Sequence, residues 1–330
     1  MSFFAILFAL LIEQARPLAA HNPIHAGLRT WALWVGRNFD AGRPHHAWVA
    51  WSLAVVLPAL LALAVHWLLL WGLGWPFAVL WSVAVLYLTL GFRQFSHHFT
   101  RLRDALEEDN QERARLLLAE WQQVDASHLP RSEMVRHVIE YSVLAAHRHV
   151  FGVLAWFSLL AALGLGPAGA VFYRMAEFVA RFWTSRRGTV AAPASLSLQV
   201  VALRSWTMAD WLPARLTALC FAVVGSFEEA IDGWRFHAQR FPNDNDGVVL
   251  AATAGAINVR LGGEALKLPQ AALPAPPGLA VDAANMDDSD QTPGREPEVG
   301  HLRSVVGLVW RSVVVWLLLL ALLTLARLLG

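Results

Sequence analysis

Charge is scarce in this chain. Only 15% of its 330 residues are Asp, Glu, Lys or Arg, while 56% are hydrophobic; an average soluble domain carries roughly a quarter charged residues. That balance excludes an ordinary soluble two-domain protein and implies a membrane protein. The net charge is +1, so no global field favours nucleic acid or an acidic partner. Lysine is almost absent as well, Lys267 being the only one. Cysteine is reduced to Cys220 inside an apolar run, which excludes both a disulfide framework and a paired-thiol metal site and leaves a buried, inert thiol.

Several chemical motifs are missing too. Gly262-Gly263 is followed by Glu264-Ala265-Leu266-Lys267 rather than by Gly-Lys-Ser/Thr, so there is no P-loop. The 13 histidines do not fall into chelating pairs. His45-His46, His97-His98 and His147-Arg148-His149 are adjacent or alternate, and such neighbours point to different sides of a helix. His21 and His25 have four-residue spacing, but Pro23 lies between them. No metal site is expected.

What the chain does have is long apolar runs. Ala47 to Trp71 contains no Asp, Glu, Arg or Lys and is long enough for a hydrocarbon core of about 30 Å, with Pro58 placed to kink it. Gly72 to Pro76 reads as a tight turn, and Phe77 to Phe92 as the return span. Val150 to Leu165 and Ala168 to Ala180 form a second hairpin about Gly166-Pro167, and Val305 to Ala326 reads as a final span. Residues 2–12 are too short to cross and suit a half-inserted helix that stays in the mature protein, since no basic stretch precedes them and Arg16-Pro17 stands where a cleavage site would lie. Leu212 to Gly225, which carries Arg215, suits a re-entrant or interior helix. Arg16, Arg29, Arg37, Arg43, Arg93, Arg101, Arg103, Arg148, Arg181, Arg186 and Arg187 flank the two hairpins while their turns have no basic residue, which places both flanks in the cytoplasm.

Residues 93–149 read as cytoplasmic amphipathic helices, with Phe92, Phe95, Phe99, Leu102 and Leu106 along one face and Glu107, Glu108, Asp109 and Glu112 beside Arg113 and Arg115 as a solvated face. Residues 268–300 hold six prolines and Asp287, Asp288 and Asp290, a composition expected of a disordered linker. The fold class is therefore all-α, a polytopic membrane protein: a membrane domain over 1–267 with hairpins 47–92 and 150–180, a linker over 268–300, and a C-terminal transmembrane helix over 301–330.

One segment stands apart, Asn245 to Gly263 (NDGVVLAATAGAINVRLGG). Glycines around a polar turn let backbone amides approach an anion, and a helix N-terminus adds partial positive charge. Small residues from Ala251 to Ala256 equally suit close helix packing. Both alternatives stay open on the residues alone.

This segment resembles a hallmark of the CobD/CbiB superfamily. Ala251 through Gly263 follows that family's A-A-M-A-G-A-L-G-V-R-L-G-G in register, with Asn258 in place of a glycine. Leu212-Pro213-Ala214-Arg215-Leu216-Thr217-Ala218 is similar to its I-P-A-R-L-T-A, and Asn245 and Gly247 fall on the N and G of S-P-N-A-G-W-P-E. The resemblance implies an enzyme that uses ATP to join an aminopropanol moiety to a corrinoid carboxylate. Other motifs depart from the pattern. In E-x-x-A-E-N-x-x-D-G, Glu140 matches, but Leu144, Ala145 and Arg148 replace the second acid, the amide and the aspartate. Glu177 and Ala180 replace the amide and carboxylate of Y-K/R-A-x-N-T-L-D, in which Tyr173 and Arg174 are kept. Leu250 replaces the glutamate of the N-A-G-W-P-E segment.

The opening MSFFAILFALLIEQ and Arg136 to Trp156 resemble AmpE, a member of the same superfamily associated with β-lactamase induction. Two expectations follow. One is an AmpE-like inner-membrane signalling or sensing protein binding a small anionic ligand or corrinoid in a pocket of Glu140, Tyr173, Arg174, Pro213, Arg215, Asn245, Gly247, Gly255, Arg260, Gly262 and Gly263, with lipid around it, no nucleic acid, and a protein partner left open. The alternative is adenosylcobinamide-phosphate synthase, with ATP and Mg²⁺ as its requirements and Glu177, Asp210, Glu228 or Glu229 as displaced metal ligands.

Overall fold

The computed structural model describes residues 2–15, 23–122, 126–184, 194–263 and 291–329, with the backbone alone for 2, 23–25, 92–98, 122 and 327–329. Arg16, His21, Arg186, Arg187, Lys267, most of the expected linker, and the side chains of His25, Phe92, Phe95, His97 and His98 lie outside that description. Among the described residues the chain is helical: α1 (Ser2–Ala15), α2 (Pro23–Phe39), α3 (Pro44–Gly72), α4 (Trp75–Thr89), α5 (Phe92–Glu107), α6 (Gln111–Gln122), α7 (Arg131–Ala146), α8 (Gly152–Ala162), α9 (Ala168–Thr184), α10 (Leu196–Val224), α11 (Phe227–His237), α12 (Asp244–Ile257) and α13 (Val299–Leu329). Among the described residues strand geometry is confined to two isolated bridges, Val259 with Arg295 and Gly262 with Gln291. Among the described residues four helices are long and apolar enough to cross a membrane: Pro44–Gly72, Arg131–Ala162, Leu196–Val224 and Val299–Ala326. The protein is a multi-pass α-helical membrane protein.

The helices divide into two compact units. Unit 1 comprises Met1–Gln94, His147–Pro213 and Trp316–Gly330; unit 2 comprises Phe95–Ala146 and Ala214–Val315.

In unit 1, α3 and α4 form the first expected hairpin. Pro44 and Pro76 sit in the first turns of their helices, where a missing N–H costs nothing, and Gly74 takes φ 92° in the turn between them, a conformation that suits glycine. Pro58 lies inside α3 without ending it. Leu60, Leu61, Leu68 and Trp71 remain exposed on α3, an apolar surface that only a lipid environment makes favourable at this extent. The return helix stops at Thr89, short of the expected Phe92, where Leu90 turns extended. α1 packs along α4, burying Ala5, Ile6, Ala9 and Leu10. In the second hairpin α8 and α9 lie antiparallel, joined through Gly164 and Gly166 at φ 79° and 54°.

Three further boundaries differ from the sequence reading. The helix expected to begin at Val150 runs unbroken from Arg131 to Ala162 through a π-turn at His147–Phe151, because the charged residues near its start satisfy one another rather than demanding water. Leu212 to Gly225 is not a separate short helix but the second half of the 29-residue α10. Its polar interruptions, Asp210 and Arg215, find partners and the helix continues. Of the linker expected to extend to residue 300, residues 291–298 form no helix or strand but are held by defined contacts: Thr292 N–H donates to Leu261 O at 2.7 Å, Arg260 N–H to Arg295 O at 2.8 Å, and the Arg240 guanidinium to Gln291 O.

In unit 2, α12 packs against α11 and α7, with Val248 to Ala252, Thr253 and Ala254 buried. The expected α5 stripe is core where it is described, Phe99, Leu102 and Leu106 all being buried. The acidic patch beside it is exposed and paired: Arg113 with Glu108, and Arg303 with Glu107 at 3.0 Å.

Candidate functional site

The motif residues fall into two polar centres, one in each unit. Glu140, Arg215, Asn245, Gly247, Gly255, Arg260, Gly262 and Gly263 belong to unit 2, and Tyr173, Arg174 and Pro213 to unit 1.

In unit 2, successive turns of α7 present Glu133, Arg136 and Glu140 on one face, the spacing at which helical side chains meet. Arg136 is almost wholly buried, donating through Nε and Nη2 to Glu133 Oε2 at 2.9 and 2.5 Å and through Nη1 to Glu140 Oε1 at 3.0 Å. Glu140 Oε1 also accepts the Gly262 N–H at 2.8 Å. The glutamate that matches the first acid of the family signature is thus tied to the end of the glycine-rich segment, by a contact between residues 122 positions apart. At the first turn of α12 the buried Asn245 accepts at Oδ1 from Arg215 Nη1 at 3.1 Å, which joins the P-A-R-L-T-A stretch of α10 to α12.

The glycines of this segment seat backbone against backbone. A Cβ on Gly247 would lie 2.2 Å from Ala238 O, one on Gly255 2.0 Å from Glu229 O, and one on Gly233 2.5 Å from Ala251 O. Asn258 closes α12 at φ 51°, ψ 54°, its N–H returning to Ala254 O and Gly255 O. Asparagine is the residue that best replaces glycine in that left-handed conformation, so the departure at this motif position keeps the local geometry. Gly263 follows at φ 98° beside Gln291, and the Arg260 side chain is exposed. Glu228 and Glu229 are also exposed, in the first turn of α11, where the Ser226 hydroxyl donates to Glu229.

In unit 1, Asp210 lies fully buried with Oδ1 bonded to His147 Nε2 at 2.9 Å and accepting from Tyr173 OH at 2.7 Å. Pro213 follows within the same helix. Arg174, one residue beyond Tyr173, donates from Nη1 to Glu177 Oε2 at 2.8 Å, and Arg181 Nη1 stands 2.9 Å from Glu177 Oε1. Arg148 is close enough to act electrostatically on Glu177, Asp210 and Tyr173. Sequence reading named neither Arg136 nor His147 as a site residue. The three-and-four spacing around Arg136 was a usable signal. His147 and Asp210 are 63 positions apart and gave none.

The CobD/CbiB protein family model matches residues 3–277. The chain belongs to the CobD/CbiB family. It is 31% identical over 324 residues, 96% of each chain, to a protein of Stutzerimonas stutzeri (strain A1501) named cobalamin biosynthesis protein CobD. Proteins of the same name from Chromobacterium violaceum and Mycobacterium tuberculosis (strain H37Rv) are 34% identical over 183 residues, 56% of this chain and 55% of that one, and 30% identical over 197 residues, 58% and 59% of the two chains. No solved structure matches the chain. These names favour the biosynthetic alternative over the AmpE-like signalling reading. In this CobD/CbiB protein the retained motif residues Glu140, Arg215, Asn245 and Gly262 make their contacts within unit 2, while the departures fall in both units, Leu144, Ala145 and Leu250 in unit 2 and Arg148, Glu177 and Ala180 in unit 1.

Proposed function

We propose that the protein is an adenosylcobinamide-phosphate synthase of cobalamin biosynthesis in the bacterial inner membrane, using ATP to join an aminopropanol moiety to a corrinoid carboxylate. The observation that carries this reading is similarity over 96% of both chains to a protein named for that pathway. The contacts Arg215–Asn245 and Glu140–Gly262 support it, because residues kept from the family pattern also make the polar contacts that fix α10, α7 and the glycine-rich segment.

A resident Mg²⁺ is poorly served by the side chains present. Such an ion needs hard oxygens with lone pairs to spare, but Glu140 is engaged by Arg136 and Gly262, Asp210 by His147 and Tyr173, and Glu177 by Arg174 and Arg181. Among the described residues no group of three His, Cys, Asp or Glu side chains is gathered to hold an ion. No step of the proposed reaction is therefore routed through a protein-bound metal.

The second reading is an AmpE-like sensor that keeps the pocket for a small anionic ligand without ligase activity. The presence of Leu144, Ala145 and Arg148 where the family signature has two acids and an amide favours it. A bacterium lacking its own synthase decides between them when fed either the corrinoid carboxylate or the finished amide. Growth on the carboxylate with this gene, and without it only on the amide, supports the ligase. Growth on the amide alone in both cases refutes it.

A further inference from the structure

α2 has three sides of different chemistry. Ala32 and Val35, three positions apart, are buried where the helix packs on α3 and α9, and Trp183 Nε1 donates to Ala32 O at 3.3 Å. Trp31 and Trp34, also three apart, turn another way: their rings stack with centroids 5.4 Å apart, and Trp34 is 48% exposed. Arg29 and Arg37, eight apart and therefore on one side of a helix, are exposed on the third. An upright crossing does not suit α2, since both arginines stand inside its 17 residues and a charge within a span is costly.

The neighbouring span supplies the depth. α3 leaves Trp48 and Trp71 exposed, at 45% and 76%, and the 23 positions between them correspond to about 34 Å of helix at about 1.5 Å per residue. That is close to the hydrocarbon thickness of about 30 Å, and tryptophan gathers at the two membrane–water interfaces. Trp48 therefore marks the interface at the arginine-rich end of α3, and only residues 40–43 separate that helix from α2. Charge points the same way. From residue 14 to residue 103 the chain has seven arginines and one acid, Asp40. Asp40 is turned away to Ser195 and Gly42: Oδ1 accepts from the Gly42 N–H and the Ser195 hydroxyl, and Oδ2 from the Ser195 N–H.

We propose that α2 lies in the plane of the cytoplasmic leaflet's interface, with Trp31 and Trp34 among the acyl chains and Arg29 and Arg37 on the phosphates of anionic lipid headgroups. A basic side beside a tryptophan side is the pattern of a helix lying in that plane, and an anionic surface attracts its arginines. A second α2 would bring arginines and no acid to meet them, so a lipid surface fits better than a second copy. The surface is independent of the ligase reading.

Ala26 and Gly27 are exposed neighbours that sample the two outer sides: residue 27 falls in line with Trp31 and Trp34, residue 26 with Arg29 and Arg37, and a side chain added at Gly27 meets nothing within 4 Å. Gly27→Cys and Ala26→Cys, each in the full-length Cys220→Ala protein, are spin-labelled and reconstituted in vesicles of phosphatidylcholine and phosphatidylglycerol. Depth is read as accessibility to oxygen against a water-soluble nickel chelate. The label at 27 should favour oxygen and the label at 26 the chelate. Equal, high chelate accessibility at both would place α2 in water and overturn the proposal; dipolar broadening between labels at 27 on two copies would give the aromatic side to a second copy and overturn it as well. Headgroup contact is read as the preference for spin-labelled phosphatidylglycerol over phosphatidylcholine. Arg37→Gln should lower that preference about fivefold, the loss expected for one arginine at an anionic surface, while Arg303→Gln, in unit 2, leaves it unchanged. An unaltered preference in the Arg29→Gln, Arg37→Gln double variant would overturn the headgroup assignment.

Discussion

Gly255→Ala tests what the glycine-rich segment is for. A Cβ at Gly255 would lie 2.0 Å from Glu229 O, 2.3 Å from Glu229 C and 2.6 Å from Ala230 N, all of them backbone atoms of α11, whereas ordinary contact begins near 3.4 Å. No rotamer relieves such an overlap, so α11 and α12 have to part by more than ~1 Å, and the contacts on both sides of the seam weaken steeply with that gap. Overpacking of this kind costs about 1–3 kcal/mol and sometimes more. Alanine returns about 1 kcal/mol through its better helix propensity, which leaves a net loss of about 0–2 kcal/mol, toward the upper end for an overlap with backbone atoms. For a unit of this size the upper end lowers the unfolding midpoint by roughly 4–8 °C. Gly307→Ala is the matched control: it lies within α13 with nothing inside 4 Å of its added Cβ, so it should be neutral or stabilising by up to about 1 kcal/mol. Thermal unfolding of the three proteins in the same detergent decides the matter. If Gly255→Ala melts with wild type yet abolishes ligand binding or growth, the glycine serves an anion cradle and the packing argument fails.

The remaining predictions concern the polar contacts and the topology. Arg136→Met should destabilise by about 3–5 kcal/mol, because it strands Glu133 and Glu140 beside a buried site; Arg136→Met combined with Glu140→Gln should recover part of that loss in urea unfolding, and additive losses would refute the coupling. Asn258→Gly should stay within about 0.5 kcal/mol of wild type, while Asn258→Val should cost about 1–2 kcal/mol, since a branched side chain resists the left-handed conformation observed there; equal midpoints for the two variants would show that the α12 cap is not in that conformation. Single cysteines replacing Ser127 and the exposed Asp232, in a Cys220→Ala background, should behave alike toward an impermeant thiol reagent on intact cells, because residues 95–146 and 214–315 build one compact unit. The arginine asymmetry further predicts that both are protected. Labelling of one without the other would break the unit apart.

The hairpins were legible because hydrophobicity alone specifies them: an uncharged run from Ala47 to Trp71, a glycine turn, and a return. α10 was not, and the reason lies in where its polar residues find partners. Asp210 and Arg215 interrupt the apolar pattern and make Leu212 to Gly225 look like a short separate piece, yet Asp210 is satisfied by His147 and Tyr173, and Arg215 by Asn245, 30 positions away. A window of local hydropathy counts a charge as a cost wherever it falls, and cannot register that another helix cancels it. The same limit applies to the glycines. Their spacing fits an anion cradle and a packing seam equally well, and the backbone atoms that decide the matter at Gly247 and Gly255 belong to residues 238 and 229–230.

The departures from the family signature gain a physical sense from the register of one hairpin. Taken one position at a time, an arginine at 148 where the signature has an acid reads as a lost ligand, and a glutamate at 177 where it has an amide reads as an unrelated change. The α8–α9 register, in which a Cβ on Gly169 would come within 2.1 Å of Trp156 O and one on Gly152 within 2.1 Å of the Tyr173 ring, sets these two positions opposite each other, and Arg148 acts electrostatically on Glu177. An inverted charge on one helix therefore meets an added opposite charge on its neighbour, at a carboxylate that Arg174 and Arg181 also pair, and charges matched in this way avoid the cost of an uncompensated ion. Broken motif positions that compensate each other describe a polar centre that has been rebuilt with different charges. They carry less weight as evidence that activity has been lost than the same substitutions counted separately.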